Sequence, residues 1–91
     1  MKVKQIWIIY DDDSEAITAS TWGAAIRAWA YNWNITADSH AEWDETSQRY
    51  ITLREKYGEN WLEALIACGP KVFGDMYDEE YFADQISYYK E

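Results

Sequence analysis

Three runs of carboxylates are the residues most able to do chemistry: Asp11-Asp12-Asp13 with Glu15; Asp38, Glu42, Asp44 and Glu45; and Asp75, Asp78, Glu79, Glu80 and Asp84. They hold 13 of the 17 acidic residues, and no Lys or Arg lies inside any run. Each has an aromatic within or beside it: Tyr10, Trp43, and Tyr77 with Tyr81. Carboxylates at this density can imitate a polyanion, because duplex DNA presents one negative charge per roughly 1.7 Å of axis and its binders meet it with Lys and Arg. A folded chain displaying them beside Tyr and Trp can occupy such a basic groove. The charge steers the encounter and the rings supply dry anchor contacts. On this reading the partner-binding residues are Asp11, Asp12, Asp13, Asp75, Asp78, Glu79 and Glu80, with Tyr77 and Tyr81 as anchors. Glu42, Trp43, Asp44 and Glu45 form a second patch. The plainer alternative is that the runs are caps, turns and solvated surface.

Other chemistries fit the residues less well. Asp11-Asp12-Asp13 lacks the alternating spacing and terminal Glu of a calcium loop, and consecutive carboxylates in an extended chain point in different directions. One cysteine and one histidine cannot make the usual zinc sites or a disulfide framework. Nucleophilic catalysis would need Cys68 activated by His40. The predicted position of Cys68, at a helix C-terminus, disfavours a thiolate and suits a small buried residue. Almost any two of so many carboxylates could be paired for glycoside hydrolysis, so their number identifies no such site. Four glycines supply no phosphate-binding loop. No catalytic residue, metal or cofactor is expected, and the protein is not expected to be an enzyme.

The 91 residues suit one domain spanning 1–91, since domains usually take about 100–200 residues. The net charge of −9 argues against direct binding of nucleic acid or an anionic membrane, while 48% apolar residues argue against a disordered acidic tail. No apolar run approaches the ~18 residues that span a bilayer, and no signal peptide opens the chain. A soluble cytoplasmic protein is expected. Of 16 aromatics, 14 are Trp or Tyr, which accumulate where one end of a ring is dry and the other wet. Core filling would account for several Trp, but the composition leans towards a contact surface.

The elements that must position these residues follow from periodicity. Val3, Ile6, Trp7, Ile8, Ile9 and Tyr10 read as a strand stopped by Asp11-Asp12-Asp13. Thr18, Trp22, Ile26, Trp29 and Trp33 form a helical stripe, predicting a helix near 18–33 capped by Ser14 or Thr18. Residues 40–57 read either as a hairpin, with strands 41–44 and 49–54, or as a helix with the stripe Tyr50, Leu53 and Tyr57. The hairpin is preferred because the first strand needs partners for its backbone groups. Asn60 with Glu63 suggests a capped helix over Trp61–Cys68, ended by Gly69-Pro70. After a loop at 71–77, Asp78 can cap a last helix carrying Glu79 and Glu80 in its first turn and Phe82 and Ile86 on its apolar side. The order is β-α-β-β-α-α, an α+β fold with a short antiparallel sheet covered by helices.

Tyr57-Gly58-Glu59-Asn60, followed by Leu62-Glu63-Ala64-Leu65 and Cys68, resembles the Tyr-Gly-Glu-Asn segment and helix of barstar-type ribonuclease inhibitors. The resemblance implies an acidic protein of similar size that plugs a basic nuclease site with carboxylates and aromatics. It covers residues 57–68, has Trp61 inserted, and departs before it from the family's strand-helix order. No site residue is carried over from it.

The function expected is a small acidic inhibitor that mimics nucleic acid and blocks the basic nucleic-acid-handling groove of another protein. Targets of that chemistry include nucleases, restriction enzymes, CRISPR effectors and DNA-binding repressors. The alternative is an assembly module whose Trp/Tyr surface pairs with another protein or with itself as a homodimer, the charge serving only solubility.

Overall fold

In the structure, a computed structural model, residues 2–39, 41–77 and 80–90 are described. The chain runs through strands β1 (Lys2–Tyr10) and β2 (Ala16–Ala19), helix α1 (Trp22–Asn32) and the hairpin strands β3 (Ala41–Asp44) and β4 (Arg49–Thr52). Helix α2 (Leu53–Tyr57), a 3₁₀ turn at Gly58–Asn60, helix α3 (Trp61–Met76) and strand β5 (Phe82–Lys90) complete it. One antiparallel sheet has the order β2-β1-β5, and β3 with β4 forms a second. The fold is α+β, with α1 and α3 packed on the larger sheet.

β1 is the central strand because its β-branched and aromatic run suits a strand flanked on both sides. Along it Trp7 and Ile9 join the core with Ile17 and Ala19 of β2 and Ala83 of β5. The helices cover that face. Trp29 of α1 is fully buried at the centre, in edge-on contact with Phe73 of α3 (5.1 Å between centroids) and with Tyr81 (5.5 Å), and tilted against Tyr77 (5.3 Å). Such aromatic pairs add roughly 0.5–1.5 kcal/mol each beyond their buried area. The indole N–H groups of Trp22 and Trp29 are buried without a hydrogen-bond partner in the structure. Most of the described aromatics therefore fill or flank the core. Large exposed rings are Tyr31, Trp43 and Tyr50.

The hairpin stands where the sequence places it, with Trp43 opposite Tyr50 and Asp44 opposite Arg49. Its second strand ends at Thr52 rather than residue 54. Thr52 and Glu55 form a capping box that starts α2, so part of the rival helical reading is also present. Three other expectations are corrected. Residues 16–19 form β2 rather than the start of α1, whose cap is Thr21, accepting from the Ala24 N–H at 3.1 Å. The stretch 71–77 is not a loop. Gly69, at φ 86° and ψ 174°, breaks the helical path, but Pro70 suits the first turn of a second helical segment that runs to Met76. Asn60 makes no side-chain cap.

The largest correction is β5, a strand where a last helix is predicted. Phe82 and Ile86 lie on one side in either form, since a spacing of four keeps a face in both periods. The Ile and Tyr content of the segment and the need of β1 for a full-length partner favour the strand. Asp78, its predicted cap, and Glu79 lie outside the described residues.

Two substitutions test this packing by denaturant unfolding. Phe73→Ala should cost about 3–5 kcal/mol through the cavity beside Trp29. Gly69→Ala meets no neighbouring atom, so its expected loss of about 1–3 kcal/mol would come from backbone strain alone. A neutral Gly69→Ala would contradict the break at that position.

Candidate functional site

The turn between β1 and β2 is built around the Asp11 carboxylate. Its Oδ1 accepts the N–H groups of Asp13 and Glu15, both at 3.0 Å, and the Asp11 N–H donates to the Glu15 carbonyl at 3.1 Å. Ser14 completes the reversal at φ 72°. Oδ2 accepts the indole Nε1–H of Trp33 at 2.9 Å, tying the turn to the end of α1. That end is held by a Schellman arrangement: the Ile35 N–H donates to the Ala30 carbonyl at 2.8 Å and the Asn34 N–H to that of Tyr31 at 3.3 Å. Asn34 sits in the left-handed region at φ 55°, which Asn tolerates better than most residues. Trp33 is thereby aimed at Asp11.

This turn borders a shallow cleft of about 350 Å³ lined by Asp11, Asp12, Asp13, Trp33, Glu80 and Tyr81. Desolvation alone would raise the Asp11 pKa. The hydrogen bonds from Trp33 and from the backbone of Glu15 and Asp13 outweigh it and hold the carboxyl below the ordinary aspartate range. Asp12 and Asp13 are exposed and have no described partner. Glu15 accepts only from Asn32 (3.2 Å), and Asp84 from the Tyr10 hydroxyl (2.9 Å). Among the described residues these five carboxylates thus take neutral donors or none.

A second cleft, of about 500 Å³, is lined by Glu42, Trp43 and Glu45 of the hairpin, Lys56 of α2, and Val72, Asp75 and Met76 of α3. Its carboxylates are differently placed. Glu42 accepts from Lys56 Nζ at 2.6 Å and Asp75 from Lys71 Nζ at 3.1 Å. Asp44 is drawn into the hairpin turn by the hydroxyl and backbone N–H of Ser47 (2.6 and 2.9 Å), which hold its pKa down. Asp38 pairs with Arg54, which also pairs with Glu59. The run at 38–45, free of cations along the sequence, is therefore substantially paired in three dimensions.

The predicted cluster at 75–84 is divided between these places. Asp75 joins the hairpin cleft, Glu80 joins the Asp11–Asp13 cleft, and Asp84 bonds to Tyr10 on the sheet. Burial first, then the charges of Glu42 and Glu80, drive the Tyr77 phenol well above its ordinary pKa, so a carboxylate from each cleft is felt at one ring. Tyr81 is likewise raised by burial and then by Glu80 and Asp11. Neither ring is the exposed anchor expected: Tyr77 is 5% and Tyr81 8% exposed, and both belong to the core. Trp43, at 45%, does stand exposed beside its acidic neighbours, in edge contact with Tyr50 at 5.2 Å. Trp33 was missed by sequence reasoning, since its place in the helical stripe marks it only as core.

Cys68 is exposed rather than buried, with Sγ 3.9 Å from the Tyr57 hydroxyl, and His40 lies outside the described residues. Among the described residues no group of three His, Cys, Asp or Glu converges as a metal site, and no helix is long and apolar enough to cross a membrane. Compared with protein-family models, with curated proteins and with solved structures, the chain finds no match.

The pKa shifts fix two signs. The folded pKa of Asp11 lies below its unfolded value of 3.8, so its contribution is present above that pH and is lost as pH falls through the folded value. Trp33→Phe, which removes the indole donor, should therefore be less stable than the parent near neutrality, with the difference closing below about pH 4. A difference that stays constant with pH would contradict the bond. For Tyr77 and Tyr81 the folded pKa is raised above 10.0, so their contribution is full below pH 10 and lost as pH rises beyond it. Their tyrosinate absorbance should emerge together with alkaline unfolding, not before it.

Proposed function

We propose that this protein is an acidic inhibitor that occupies a basic, nucleic-acid-handling groove of another protein. The supporting observation is the partition of charge. Lys56, Lys71, Arg27, Arg49 and Arg54 are each ion-paired, whereas Asp11, Asp12, Asp13, Glu15 and Asp84 at one end of β1 take only neutral donors or none. Neutral donors leave the carboxylate charge uncompensated, so the field at this end is stronger than composition alone would give. The loop that carries it is tied to α1 through Trp33, so display of Asp12 and Asp13 costs little further ordering on binding. In the hairpin cleft, where Glu42 and Asp75 are paired with lysines, Glu45 adds a further carboxylate and Trp43 an exposed aromatic contact. Unopposed carboxylates repel one another and weaken a small fold, a cost that is offset if the field is used. On this reading the partner is a basic protein such as a nuclease, a restriction or CRISPR-type effector or a DNA-binding repressor, and the setting is the cytoplasm.

The test is affinity capture from a lysate of the source cells, comparing the parent with Asp12→Asn/Asp13→Asn/Glu80→Gln. The parent should retain a basic nucleic-acid-binding protein that is released by salt and displaced by added duplex DNA, and the folded triple variant should lose it. Capture that survives high salt, or is unchanged in the variant, would overturn the proposal.

A further inference from the structure

β1 and β5 pair over nine residues, and alternate positions face away from the helices. On that outer face the register sets Ile6 opposite Ile86, Ile8 opposite Asp84 and Tyr10 opposite Phe82, with Lys4 in the row before Ile6. Tyr10 and Phe82 stack at 5.3 Å, and Ile86 is 42% exposed. None of Ile6, Ile8, Tyr10, Phe82 or Ile86 belongs to the core or packs against it, and the helices that pack on this sheet, α1 and α3, lie on the opposite face. The result is an apolar sheet face that no helix or core residue covers among the described residues.

The charges along this face indicate what covers it. Lys4, exposed, lies one row beyond Ile6, so that end carries a positive charge. The other end carries Asp84 and runs into Asp11, Asp12 and Asp13. Ile6 and Ile86 form the middle row. A two-fold rotation about that row, reversing the strands, brings the Lys4 row of one copy onto the Asp84 row of the other and repeats the contact by symmetry. A same-direction stacking would instead set Lys on Lys and Asp on Asp.

We infer that this outer face of β1 and β5 is the interface of a homodimer in which two copies stack face to face with strands antiparallel and Ile6 and Ile86 at the centre. Aligned sheets pack about 10 Å apart, and a two-fold interface is self-complementary. Nine residues at about 3.3 Å and two to three strands at about 4.8 Å give roughly 300–400 Å² of face per copy. That is about half of the ~800 Å² per partner in stable complexes, so the dimer forms reversibly with concentration. The inference does not depend on the inhibitor reading, with which it shares Asp84 and no residue of the cleft lined by Trp33 and Tyr81.

Sedimentation of the full chain over a range of concentrations tests it. The parent should pass from monomer to dimer as concentration rises. Ile86→Glu should weaken association at least tenfold with an unchanged circular dichroism spectrum. Lys4→Glu and Asp84→Lys should each weaken it, and the two combined in one chain should restore it, a result that also serves should Ile86→Glu fail to fold. A parent that stays monomeric up to about 1 mM, an Ile86→Glu variant that associates like the parent, or a double swap no better than the singles would overturn the interface.

Discussion

The burial of Trp29 is the constraint on which the arrangement depends. A chain of 91 residues has little interior, and this indole sits at the meeting point of α1, α3 and the start of β5 through Phe73, Tyr77 and Tyr81. The two tyrosines that sequence reasoning expects at the surface are drawn inward by it. Their inward placement has an electrostatic consequence, because Glu80 and Glu42 then lie close enough to act on the same buried phenol. Core packing and the placing of the acidic clefts are therefore one problem in this chain.

Asp11 gives up its freedom to order its neighbours. By accepting two backbone N–H groups and the Trp33 indole it becomes structural, and Asp12 and Asp13 remain exposed on a turn of defined shape. Elsewhere the fold spends carboxylates on cations: Glu63 on Arg27, Glu55 on Arg49, Asp38 and Glu59 on Arg54. These exposed pairs contribute little to stability one by one. Their larger effect is to compensate those carboxylates, whereas Asp12 and Asp13 have no partner among the described residues.

How much of this was legible in the sequence depended on range. The first strand, α1 and the hairpin carry their own periodicity and turn residues, so the α+β class and most of the element order could be read directly. β5 could not, because Phe82 and Ile86 satisfy both periods and only pairing with β1 decides between them. The three acidic runs were legible as runs. Their spatial grouping was not, since the last one is split among a helix, a cleft and a strand, and the middle one is paired by Lys56 and Arg54 from beyond the hairpin. Trp33 escaped notice for a related reason: a Trp in a helical stripe reads as core, and only the structure shows its N–H held by Asp11. A helix does start directly after Tyr57-Gly58-Glu59-Asn60, at Trp61, where the sequence places one.

An acidic inhibitor of the kind proposed would concentrate recognition around the β1–β2 turn and Trp43 rather than spread it over every carboxylate. The most direct measurement is an amide NMR titration with a short oligoarginine peptide as the basic probe, at two salt concentrations. On this proposal salt-sensitive shifts are expected to concentrate at residues 11–13, 33, 43, 45 and 80–81. Shifts distributed evenly over the acidic residues, or centred on the ion-paired carboxylates of Glu55, Glu59 and Glu63, would contradict it.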